Sequence, residues 1–123
     1  MNKENLKKIR KKVVSILDNY IGNEYLLFIF GSFAKNTEDH ASDIDLAVYS
    51  QNDLPSYLIA EIREDLENKV PTLRYIDVVN LTDENINKNL LENILKEGMI
   101  WKRTRNSKEL LRNLRRHLKN LKK

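Results

Sequence analysis

Residues 30–46 read Phe-Gly-Ser-Phe-Ala-Lys-Asn-Thr-Glu-Asp-His-Ala-Ser-Asp-Ile-Asp-Leu. On one side of this stretch, Tyr25 to Phe30 form a short continuous apolar run bounded by Gly22 and Gly31, the pattern of a strand covered on both faces. On the other side, residues 43–49 (Asp-Ile-Asp-Leu-Ala-Val-Tyr) alternate and read as a second strand. Residues 33–42 are the polar loop between them. In an extended strand, residues i and i+2 share a face. Asp43 and Asp45 therefore project together, while Ile44 and Leu46 turn into the core. Two carboxylates roughly 6 Å apart repel by about 3 kcal/mol at an effective dielectric of 20, and each raises the pKa of the other. A divalent cation converts that repulsion into a ligand set. Hard oxygen donors suit Mg2+ or Mn2+, with substrate phosphates completing the octahedron.

Gly31-Ser32 supplies a second element. A glycine directly after a strand lets the backbone turn sharply or approach a ligand closely. The serine hydroxyl and neighbouring backbone N–H groups can then hold a phosphate. Asp77 is a third candidate, set between Ile76 and Val78 in a β-rich segment, where a carboxylate is costly unless something pairs with it. Each piece alone has a bland reading. Gly-Ser after a strand is common, and Asp-x-Asp also begins strands and occurs in glycosyltransferase metal motifs. A calcium loop is excluded, because no glycine or glutamate falls at the required offsets. The ordered combination is far more specific than its parts.

Working outward, Leu6, Ile9, Val13, Val14, Ile16, Leu17 and Tyr20 give one apolar stripe on a helix over 4–20, with Lys7, Lys8, Lys11 and Lys12 on its wet face. Gly22 is its stop signal. Pro55 opens a second helix carrying Leu58, Ile59, Ile62, Leu66 and Val70, which ends before Pro71. Leu73 to Leu81 reads as a third strand. Thr82 is the expected N-cap of a third helix, with Asp83 and Glu84 in its first turn and Gly98 at its end. Met99 to Trp101 form a last short strand, with Trp101 as a packing residue. The order predicts an α/β (α+β) fold, a mixed β-sheet with flanking helices.

The chain has 123 residues and a formal net charge of +4, which hides an asymmetry. Residues 1–101 hold 12 Lys and Arg against 17 Asp and Glu, whereas residues 102–123 hold 10 against Glu109 alone. In that tail Leu110, Leu111, Leu114, Leu118 and Leu121 recur at helical spacing among Arg112, Arg115, Arg116, Lys119 and Lys122. This is a basic amphipathic helix. It packs on its own domain, docks a partner through leucines and cations, or binds an anionic surface. Nucleic acid is the less favoured of these, since the tail lacks aromatics for stacking. His40 and His117 have no metal-ligating neighbour in the sequence and read as solvated. There is no cysteine, so disulfides, thiolate metal sites and cysteine nucleophiles are excluded. The longest apolar run is far below the ~20 residues of a membrane span, and the lysine-rich start does not read as a secretory signal. A cytoplasmic protein is expected.

Gly31-Ser32, the ten-residue spacer and Ser42-Asp43-Ile44-Asp45-Leu46 resemble the signature of the polymerase-β-type nucleotidyltransferase superfamily. The short length is similar to its minimal, stand-alone branch, the MNT-domain proteins. Members commonly show Gly-Ser-x-Ala-Arg-Gly; here Lys35 stands for the arginine and Asn36 for the second glycine. The resemblance implies a minimal nucleotidyltransferase domain over 1–104, with 105–123 as an appended basic helix. It implies Asp43, Asp45 and Asp77 as catalytic, metal-binding residues, with Gly31 and Ser32 binding nucleotide. It further implies two Mg2+ ions, ATP as substrate and AMP transfer to a hydroxyl. The implied acceptor is a tyrosine of a HEPN-domain toxin, for which such proteins act as antitoxins. Two alternatives compete with this reading. One is a non-catalytic antitoxin that neutralises its partner by occlusion. The other is a small-molecule (aminoglycoside-type) nucleotidyltransferase, whose members usually carry a further helical domain.

Overall fold

A computed structural model of the chain describes residues 3–22, 24–35 and 42–122. Asn36 and His40 lie outside the described residues. The element order is α1 (Lys3–Ile21), β1 (Tyr25–Phe30), β2 (Ile44–Ser50), α2 (Ser56–Lys69), β3 (Ile76–Asn80), α3 (Lys88–Glu97), β4 (Met99–Lys102) and α4 (Ser107–Leu121). The four strands form one mixed sheet in the order β3-β2-β1-β4. β1 runs antiparallel to both neighbours, and β2 runs parallel to β3. The helix α2 supplies the crossover that parallel neighbours require.

The apolar run of β1 is explained by its place. It is a central strand with helices on both faces. On one face Leu27, Ile29, Ile44, Leu46, Val48 and Val78 pack against Ile9, Val13 and Leu17 of α1 and Ile62 and Leu66 of α2. On the other, Leu26, Phe28 and Ala47 pack against Leu91 and Ile94 of α3 and Leu110 and Leu114 of α4. Gly22 closes α1 at φ +88°, the left-handed conformation that ends many helices. Lys7, Lys8, Lys11 and Lys12 are exposed. Trp101 is buried in the first core cluster, and its carbonyl accepts a hydrogen bond from Arg10 Nε at 2.9 Å. Together with the Lys102–Asp18 ion pair, this bond ties the edge strand β4 to α1.

Three expectations are corrected. The third strand begins at Ile76 rather than Leu73. Residues 71–75 form a turn beyond Pro71, in which Thr72 N–H reaches the Val70 carbonyl at 2.8 Å. Leu73 and Tyr75 are exposed. Thr82 does not cap α3. Asn87 does, its side chain accepting from the N–H groups of Asn89 and Leu90, while the Thr82 hydroxyl accepts from Ser50 N–H at 3.0 Å. The Asn- and Asp-rich run from 80 to 87 favours turns over a helical start. His117 is half-buried, with Nε2 3.1 Å from the Asp83 carbonyl oxygen.

The leucine stripe of α4 faces inward. Leu110 and Leu114 are fully buried, and Leu111, Leu118 and Leu121 pack around them. Truncating a buried leucine removes transfer energy and leaves a cavity. Leu114→Ala is therefore expected to lower unfolding stability by about 2–4 kcal/mol, read as a shift of the urea midpoint at unchanged slope.

Candidate active site

The site is assembled where β1 ends and β2 begins. Phe30 is the register partner of Asp45, so the chain leaving β1 passes beside that carboxylate. Gly31 takes φ +71°, which L-residues rarely adopt. A Cβ there would stand 2.5 Å from Asp45 Oδ2. Glycine is thus required both by the backbone conformation and by the approach of the carboxylate. The Lys35 N–H donates to the Gly31 carbonyl at 3.2 Å, closing a turn that contains Ser32 directly after the glycine beside Asp45.

The turn is anchored from outside. Phe33 is buried in the core, and the Arg74 guanidinium stacks over its ring at 5.0 Å. Arg74 Nη1 also donates to the Ser42 carbonyl at 2.6 Å. One side chain therefore grips both described ends of the loop between Ser32 and Asp43. Lys35 pairs with Glu97 of α3 at 3.0 Å; both are half exposed, so the pair orients the turn more than it stabilises the fold. Arg74 and Glu97 escape sequence reading. Nothing in a lone arginine after Pro71-Thr72, or in a glutamate ending a helix, discloses a partner dozens of residues away.

Asp45 and Asp77 are register partners on neighbouring parallel strands, which lie about 4.8 Å apart. Asp43 sits two residues before Asp45, just outside β2, and is exposed. The sequence-derived acidic trio is thereby brought to one sheet face, the face also covered by α3 and α4. Burial, then Asp77, then Asp43 push the Asp45 carboxyl above its ordinary value. The cation nearest to Asp77 that the structure pairs with it is Arg63 of α2, with Nη2 4.0 Å from Oδ1 and 2.7 Å from the Val78 carbonyl. That arginine compensates the cluster only in part. Among the described residues no three His, Asp or Glu groups are gathered closely enough to hold a metal ion unaided. The donor set suits a hard cation that takes part of its shell from water and phosphate oxygens.

Residues 11–106 match the family described as Polymerase beta, Nucleotidyltransferase, and the chain belongs to that family. No curated protein sequence matches it. Solved structures share its fold. A chain of a toxin–antitoxin complex with AMP-PNP superposes with a TM-score of 0.72 at 21% identity, covering 91% of this chain and 88% of that one. A chain of the tri-AMPylated Shewanella oneidensis HEPN toxin in complex with MNT antitoxin gives 0.65 at 22% identity, covering 85% and 77%. The MntA–HepT toxin–antitoxin complex gives 0.67 at 19% identity, covering 94% and 88%. No helix among the described residues is long and apolar enough to cross a membrane.

The raised pKa of Asp45 has a consequence for stability. Its folded form binds the proton more tightly than the unfolded chain does, so ionised Asp45 opposes folding above the raised pKa. That penalty disappears as pH falls through it. Asp45→Asn is expected to raise Tm at neutral pH modestly, since solvent still reaches the group. The gain over the parent shrinks on acidification, as calorimetry at stepped pH will show.

Proposed function

We propose that the protein is an antitoxin that transfers AMP from ATP, with Mg2+, to a tyrosine hydroxyl of a HEPN-type toxin. The observation that carries this reading is the fit between Gly31 and Asp45, with Asp77 alongside, in a chain of nucleotidyltransferase family membership. The toxin–antitoxin complexes that share its fold, one with AMP-PNP and one with an AMPylated HEPN toxin, support the choice of nucleotide and acceptor.

In this reading the turn at Gly31 and Ser32 binds the β- and γ-phosphates, its backbone N–H groups offering donors that need no charge. Asp43, Asp45 and Asp77 are the residues that would hold Mg2+. When bound, the ion neutralises the carboxylates and the charge that develops on the phosphate oxygens. The acceptor oxygen attacks the α-phosphorus in line, forming a phosphodiester as the bond to pyrophosphate breaks. Asp77, part exposed at the β3 edge, takes the proton from the acceptor hydroxyl and passes it to water. Arg74 and Phe33 act by keeping the phosphate-binding turn in register with the carboxylates, the positioning on which in-line transfer depends.

Incubating the protein and its co-purified partner with labelled ATP and Mg2+ tests this reading. Label is expected on a partner tyrosine. Asp43→Ala and Asp77→Ala are each expected to cut transfer by about a hundredfold or more, with the melting transition retained. Normal rates in either variant would remove the assignment. A partner bound and silenced without labelling would instead favour neutralisation by occlusion.

A further inference from the structure

Among the described residues the large hydrophobic side chains that stand exposed are Tyr57, Leu73, Tyr75 and Met99. One exposed apolar side chain is ordinary. Leu73 and Tyr75 differ because they share a short turn that runs directly into Asp77. Leu73 is fully exposed and Tyr75 more than half exposed, and neither packs in a core cluster. The turn that carries them is well fixed. Thr72 N–H donates to the Val70 carbonyl at 2.8 Å, Arg74 N–H to the Thr72 hydroxyl at 3.1 Å, and Ile44 N–H to the Tyr75 carbonyl at 2.9 Å. The last bond carries the β2–β3 ladder one residue ahead of β3. Tyr75 is thereby set across from Asp43 and on the sheet face of Asp77. Arg74 is turned toward Phe33 and the Ser42 carbonyl, and Pro71 is exposed. The outward side of the turn is therefore mainly apolar.

Strand order fixes where this turn stands relative to the reacting groups. The Gly31 turn leaves β1, Asp45 lies on β2 and Asp77 on β3, and these three strands are consecutive neighbours. With the β- and γ-phosphates at the Gly31 turn, pyrophosphate departs toward the β1 side. In-line displacement places the attacking oxygen opposite the leaving one, which is the β3 side. The acceptor then enters over β3, past the turn that presents Tyr75 and Leu73. We propose that Leu73 and Tyr75 form the acceptor lip of the site, holding an apolar segment of the partner protein beside the tyrosine that receives AMP. This inference deepens the transfer reading and rests on it. Tyrosine is a frequent anchor of protein contacts, offering a large rigid area at low entropic cost. A turn already ordered by its own hydrogen bonds reduces that cost further. Contacts made equally before and during transfer lower the KM for the partner and leave kcat unchanged.

The test is steady-state AMP transfer from labelled ATP with Mg2+, titrated with the partner protein. Leu73→Ser with Tyr75→Ser is expected to raise the KM for the partner by about tenfold or more. The kcat, the KM for ATP and the melting temperature should stay at parent values, because both side chains lie outside the core. Leu73→Met and Tyr75→Phe, which keep the apolar surface, should keep the parent KM. Tyr57→Ser, at the start of α2 beyond the far end of β2, should change none of these constants. A double variant with parent kinetics for the partner would overturn the lip while leaving the transfer reading intact. So would a fall in kcat alone, a raised KM for ATP, or label appearing on Tyr75 itself. A parent protein that labels no partner would overturn the transfer reading and the lip together.

Discussion

Parallel pairing of β2 with β3 sets Asp45 directly beside Asp77, and this contact between like charges is the constraint around which the rest is arranged. A hairpin could not impose it. It requires a crossover, and α2 supplies one whose apolar face closes the first core while Arg63 reaches the β3 edge from its side. The repulsion is tolerated because the strands carrying it are locked on both sides. Ile44, Leu46 and Val78 are buried on one face, and Ala47 and Leu81 on the other. Hydrophobic burial of this extent outweighs a repulsion that solvent partly screens. Arg63 lies at the outer limit of an ion pair, so it softens the cluster without neutralising it. A fully compensated trio would have less residual charge with which to attract a cation.

Gly31 shows how local geometry transmits that constraint. The glycine ends β1, yet its most demanding neighbour is a side chain two residues into β2's half of the motif. The 2.5 Å separation between a hypothetical Cβ and Asp45 Oδ2 means that the turn after β1 and the carboxylate occupy adjoining space with no gap. Arg74 then secures the turn through Phe33 and the Ser42 carbonyl. The departures from the family pattern at Lys35 and Asn36 fall in this same loop. Lys35 finds a carboxylate in Glu97, a use of the charge that does not need the planar fork of arginine.

What was legible in the sequence follows from which interactions are periodic or local. The stripe of α1, the two-faced run of β1 and the alternation around Asp43 and Asp45 are repeats that burial imposes directly, and they placed the site's first two strands correctly. Leu73 to Tyr75 misled because β-forming residues were read without the turn that Pro71 and Thr72 impose. Thr82 misled because two capping sequences compete within six residues, and the Ser50 N–H captured the threonine hydroxyl from another strand. Arg63, Arg74 and Glu97 were invisible for a related reason. Each acts through one long side chain on a distant segment, and such contacts leave no spacing to read.

The tail illustrates the opposite case, in which the pattern was plain and its meaning depended on packing. An amphipathic basic helix has two faces, and sequence alone assigns no partner to either. Once Leu110 and Leu114 are buried between the sheet and α3, the apolar face is accounted for by the fold itself. The cations of α4 then point outward, with half-buried Leu111 among them. The overall charge of +4 is therefore the sum of an acidic body and a basic tail, whose cations face outward from α4.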